Sequence, residues 1–137
     1  MIHRLSILVV LAPALAAQNT PPARGINFYS IAKEQALGAQ LASGYRQHVN
    51  TIESATVTAY LDRVGQRIAA KAEGARYTYT FELVDDDGTF LHEPIAFPGG
   101  PVFVPAGLIL AAQSEGQLAG MLAHAIAHIA ARHGTKQ

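Results

Sequence analysis

The chain has 137 residues, half of them apolar and 15% charged, which excludes a disordered segment and allows one modest domain. Ten Lys and Arg offset ten Asp and Glu with no run of like charge, so no surface here tracks a nucleic-acid backbone. The absence of cysteine excludes disulfides, thiolate metal sites, cysteine nucleophiles and a lipid-bearing cysteine at an export signal.

In chain order, Met1 to Arg4 is a short basic start and Leu5 to Ala17 is almost wholly apolar. Ala14-Leu15-Ala16 supplies the small residues that a signal peptidase accepts, so residues 1–16 read as a signal peptide cleaved before Ala17. The run is shorter than the ~18 residues a span requires and Pro13 interrupts it, which makes an uncleaved anchor the weaker alternative. Residues 17–27, with Pro21-Pro22, read as an extended leader. A domain is expected over 28–137.

Ser30 can cap a helix to about Val49, with Leu37, Leu41, Tyr45 and Val49 as its buried stripe. A second helix is expected from Ser54 to Lys71, burying Val57, Tyr60, Leu61, Val64 and Ile68, with Gly74 beyond its end. The period then changes. Tyr77, Tyr79, Phe81 and Leu83 alternate with polar residues as a half-buried strand, closed by a turn at Asp85-Asp86-Asp87-Gly88. Ile95-Ala96-Phe97 and Pro101-Val102-Phe103-Val104 flank Pro98-Gly99-Gly100 as a hairpin, followed by a short helix near Ala106. Ser114 and Gln117 form a capping box for a last helix that can run to His133, with Gly134 as terminator.

That helix carries His124-Ala125-Ile126-Ala127-His128. Two histidines at i and i+4 share one face and can chelate one metal ion, and neutral imidazole suits zinc. A chance HxxxH arises in roughly one chain in twenty of this length. From the pair alone, two histidines on a partly buried helix face are the plainer reading.

The surrounding residues add more. Glu115 through His133 (EGQLAGMLAHAIAHIAARH) resembles the active-site helix of the zinc metallopeptidase family of CAAX prenyl proteases and Oma-type quality-control proteases, in its bacterial periplasmic branch. Phe97-Pro98-Gly99-Gly100, Val102-Phe103-Val104 and Gly107-Leu108-Ile109 are similar to its hairpin and following helix. Tyr29-Ser30 to Leu41 and Tyr60-Leu61 to Ala69 are similar to its first two helices. The resemblance implies an α+β, zincin-like fold of helices packed on a small sheet. It implies zinc on His124 and His128, and extended or unfolded polypeptide pairing with the edge strand Ile95, Ala96 and Phe97. A hairpin that merely packs on the core is an equal reading of that segment.

Three departures from the family pattern stand out. Ala125 occupies the position of the general-base glutamate, whose loss costs ~10² to 10⁴ in rate. Glu93-Pro94 replaces an Asn-Ala. The family's third zinc ligand is a glutamate on a later helix, so the domain is expected to be cut short at Gln137. At about 100° per residue, His133 falls on the opposite face of an unbroken helix and is rejected as that ligand. Glu93, Glu115 and Asp85 to Asp87 could reach the site only through tertiary contact.

The expected function is that of an exported zinc metalloendopeptidase homologue, periplasmic or extracellular, with hydrolysis lost or strongly impaired. A non-catalytic polypeptide-binding or chaperone-like module, or a truncated product without a function of its own, are the alternatives. Peripheral membrane association is compatible with export. Leu118, Leu122, Ile126 and Ile129 are expected to lack a covering partner, giving marginal stability or self-association through the metal-site helix.

Overall fold

The computed structural model describes residues 27–85 and 93–136. The elements run α1 (Ile31–Arg46), α2 (Ala55–Ala69), β1 (Thr80–Val84), β2 (Ile95–Ala96), β3 (Pro101–Pro105), α3 (Ala106–Ala111) and α4 (Glu115–Ala130). The expected signal segment, most of the leader, and the turn beyond Asp85 lie outside the described residues.

The three long helices start where serine can satisfy a free amide. Ser30, Ser54 and Ser114 accept from the amides of Lys33, Val57 and Gln117. At α4 the capping box is displaced by one residue. The Gln117 side chain takes the amide of Gln113 at 2.8 Å rather than that of Ser114.

The sheet has the order β1-β3-β2, with β1 and β3 parallel and β2 and β3 antiparallel. β3 is the central strand although prolines open and close it. Pro101 lacks a donor, but its carbonyl accepts the Phe97 amide at 2.9 Å, which closes the expected hairpin. Gly99 (φ +81°) and Gly100 (φ +128°) supply the left-handed turn.

α1 buries a different stripe from the one its apolar residues suggest. Glu34, Gly38 and Ala42 face inward, and Leu41 is left 41% exposed. The reason is a close approach to the hairpin turn. A Cβ on Gly38 would lie 1.6 Å from the Pro98 carbonyl oxygen, so no larger residue can stand there.

α4 is covered, which corrects the expectation of an exposed apolar face. Leu118, Leu122, Ile126 and Ile129 are each at most 5% exposed, in one cluster with Leu61 and Val64 of α2 and Phe81, Leu83, Val102 and Val104 of the sheet. Each such burial contributes about 1.5–3 kcal/mol, so these four side chains together match the net stability of a small domain. The sheet and α2 supply the partner thought missing, and self-association through this face loses its basis.

α4 also stops earlier than expected, at Ala130. The left-handed residue is Arg132 (φ 62°), not Gly134. The Arg132 amide donates to the Ile129 carbonyl at 2.9 Å and the His133 amide to the His128 carbonyl at 3.1 Å. This pair of bonds is a Schellman motif with arginine in the position glycine usually takes.

Candidate metal centre

His124 and His128 project one turn apart from the exposed side of α4. Their Nε2 atoms are 3.1 Å apart and their rings 4.5 Å apart at 74°. Two imidazole nitrogens on one tetrahedral zinc, each about 2.0–2.1 Å from it, stand about 3.3 Å apart, so the pair fits two positions of one ion. Both rings line a cleft of about 480 Å³, with Ala96 and Pro98 on its hairpin side and Glu93 and Pro94 also in its wall.

Ala125 lies between the two histidines and lines the same cleft. It is 5% exposed and carries no group that can take a proton. Among the described residues no set of three His, Cys, Asp or Glu side chains is arranged to hold a metal ion. Glu93 does reach the cleft wall, whereas Glu115 sits in the first turn of α4, at the far end of that helix.

Ile95, Ala96 and Phe97 divide their roles. Phe97 packs edge-on against Tyr45 and Phe103, and Ile95 joins the same cluster, so both side chains serve the α1 side of the sheet. Ala96 alone of the three faces the cleft. The Phe97 amide pairs inward with β3, and alternation along the strand turns the Ala96 amide and carbonyl outward, to the edge that no described strand covers.

A cluster unforeseen in the sequence closes the end of the cleft. Glu34 is 1% exposed and sits within reach of four donors. Its Oε2 accepts from the Tyr77 hydroxyl and from Arg132 Nε at 2.9 Å, and its Oε1 accepts from the Thr135 hydroxyl and from Asn27 Nδ2 at 3.0 Å. Burial pushes the Glu34 carboxyl upward, but these hydrogen bonds outweigh it and hold the pKa at about 2. Burial and then the Glu34 carboxylate push the Tyr77 phenol well above its ordinary value. With both oxygens engaged, Glu34 has no lone pair to spare for a metal, although it borders the cleft.

His133 returns to the histidine pair because α4 does not continue. Its Nδ1 lies 2.8 Å from Nδ1 of His128, the nitrogen not turned to His124, and the two rings are 4.8 Å apart. The unbroken helix assumed from the sequence is the step that fails. Arginine in the left-handed region costs of the order of 1 kcal/mol, and a sequence reading looks to the nearby glycine instead.

A helix bearing a histidine pair over a cleft, packed beneath a small mixed sheet whose β2 edge no described strand covers, is consistent with an α+β peptidase domain. The family model described as Peptidase family M48 matches residues 55–137. The chain is 34% identical to the "Putative beta-barrel assembly-enhancing protease" of Vibrio cholerae serotype O1, covering 94% of this chain and 28% of that protein. It is 33% identical to the "Beta-barrel assembly-enhancing protease" of Yersinia pestis over 76% of this chain and 21% of that protein. For the Escherichia coli K12 protein of the same name the values are 29%, 90% and 26%. This chain belongs to peptidase family M48. It spans about a quarter of the length of the curated relatives it matches.

Proposed function

We propose that the chain is an exported M48-type domain that binds extended polypeptide and zinc but does not hydrolyse peptide bonds at a useful rate. The observation that carries this reading is Ala125, set in the cleft between His124 and His128 where a proton acceptor is needed. A bound zinc ion would supply Lewis acidity. His124 and His128 would hold it through Nε2, and Ala125 offers no base to remove a proton during attack on a carbonyl. The names of the relatives support polypeptide as the substrate class. The outward amide and carbonyl of Ala96 give such a chain a place to add as a strand, and Pro94, which has no amide, limits that edge to a short register. Export rests on the apolar start of the sequence. Among the described residues no helix is long and apolar enough to cross a membrane.

The test is digestion of unfolded casein with zinc supplied. No chelator-sensitive cleavage by the chain as it stands is expected. Ala125→Glu is expected to raise cleavage by ~10² to 10⁴-fold over the unaltered protein. Chelator-sensitive cleavage by the unaltered chain would overturn the reading.

A second reading, a polypeptide-binding module indifferent to metal, is favoured by the β2 edge, which no described strand covers. It predicts peptide binding that survives replacement of both histidines.

A further inference from the structure

We propose that His133 is a positioning residue for His128, fixing its ring so that Nε2 faces the cleft, and that the pair of buried Glu34 and half-buried Arg132 holds His133 in place. The inference rests on the metal reading above for its purpose, but not for its geometry.

A histidine that is to bind a metal through Nε2 needs that nitrogen free of a proton, and a partner on Nδ1 is the usual means of fixing both tautomer and ring orientation. His128 has such a partner in His133, Nδ1 to Nδ1 at 2.8 Å. With the proton on His128 Nδ1 donated to His133, Nε2 of His128 is left as an acceptor. It can then receive the Nε2 proton of His124, 3.1 Å away, when no ion is present. The three rings thus form one chain of hydrogen bonds that two opposite sets of tautomers satisfy, and the proposed role of His133 selects the one in which His128 presents a lone pair to the cleft.

Three features place His133 there. The Schellman bond from its amide to the His128 carbonyl brings the two residues together along the backbone. That motif requires the left-handed conformation at residue 132, which arginine adopts unwillingly. Arg132 is kept in it from the side chain: Nε donates to Glu34 at 2.9 Å and a terminal nitrogen donates to the Tyr29 carbonyl. Glu34 is itself locked by Tyr77, Thr135 and Asn27, so the first turn of α1 fixes the turn after α4. A glycine at residue 132 would reach the same backbone angle without this tie. The arginine couples the orientation of a cleft histidine to a buried network.

The experiment compares the full chain with His133→Ala and His133→Asn, the second keeping an acceptor at the δ position. His133 is exposed, so neither change threatens the core. Long-range ¹H–¹⁵N correlation on the metal-free protein reads the His128 tautomer, and titration with Zn²⁺ alone reads affinity. The unaltered chain is expected to show His128 protonated on Nδ1. His133→Ala shifts that proton toward Nε2 and weakens zinc 10- to 100-fold at an unchanged melting temperature, and His133→Asn restores most of both. A His128 tautomer indifferent to His133→Ala overturns the inference, as does an asparagine variant no better than the alanine one. If the unaltered chain takes up no zinc, the metal reading fails while the tautomer measurement still decides the positioning role.

Discussion

Glu34 is a carboxylate removed from water and returned four hydrogen bonds in exchange. Its folded pKa of about 2 lies below the ordinary 4.5, so between those values the unfolded chain binds more protons. Its contribution to stability is therefore complete above pH ~4.5 and declines as the pH falls toward 2. The difference corresponds to about 3 kcal/mol. Glu34→Gln is expected to lower stability by about that much at pH 7, and the gap from the unaltered chain should shrink by roughly 2 kcal/mol at pH 3. Urea denaturation at the two pH values measures it, and a gap that does not change with pH contradicts this account of the network. Little of this was legible beforehand. A glutamate in the first turn of a helix reads as a surface residue favoured by the helix dipole, and its partners Tyr77, Arg132 and Thr135 lie far away in sequence. His124 and His128, by contrast, share one helical segment, and their common face follows from spacing, whereas the cleft they line with Ala125 depends on the hairpin packed opposite.

At the scale of elements, α1 meets the hairpin turn almost backbone to backbone. Gly38 sits under the Pro98 carbonyl, and a Cβ on Gly99 would lie 2.5 Å from Cα of Gln35. Gly38→Ala should therefore cost ~2 to 3 kcal/mol, well beyond an ordinary helix glycine replacement, which would stabilise. The shift in urea midpoint measures this, and a stabilising change would show that α1 and the turn are not in contact. The same variant should disturb β2, because Pro98 and Ala96 belong to one hairpin. Element positions were readable because their signals are local: Ser30, Ser54 and Ser114 each cap a helix, and Pro98-Gly99-Gly100 turns a hairpin. The buried face of α1 was not readable. There, backbone proximity selects the small residues Gly38 and Ala42 for the interior and leaves Leu41 outside, against the apolar pattern. The end of α4 escaped for a related reason, since a salt bridge from Arg132 to the buried Glu34 substitutes for glycine.

For the whole molecule, one core joins α2, the sheet and α4, and it leaves the histidine pair on the uncovered side of α4. This division keeps the histidine pair and the cleft apart from the packing that holds the helix. Leu122 and Ile126 hold the helix, His124 and His128 face outward, and Ala125 is buried between them. On the proposed reading, the arrangement separates ligand binding from chemistry, with Ala125 offering no proton acceptor beside the histidine pair. The most direct measurement is equilibrium titration of the chain with Zn²⁺ beside its His124→Ala variant. A saturable site for one ion per chain that disappears in the variant is the expected result. Zinc uptake no greater than that of the variant would contradict the account, and would mean that the cleft histidines hold no metal.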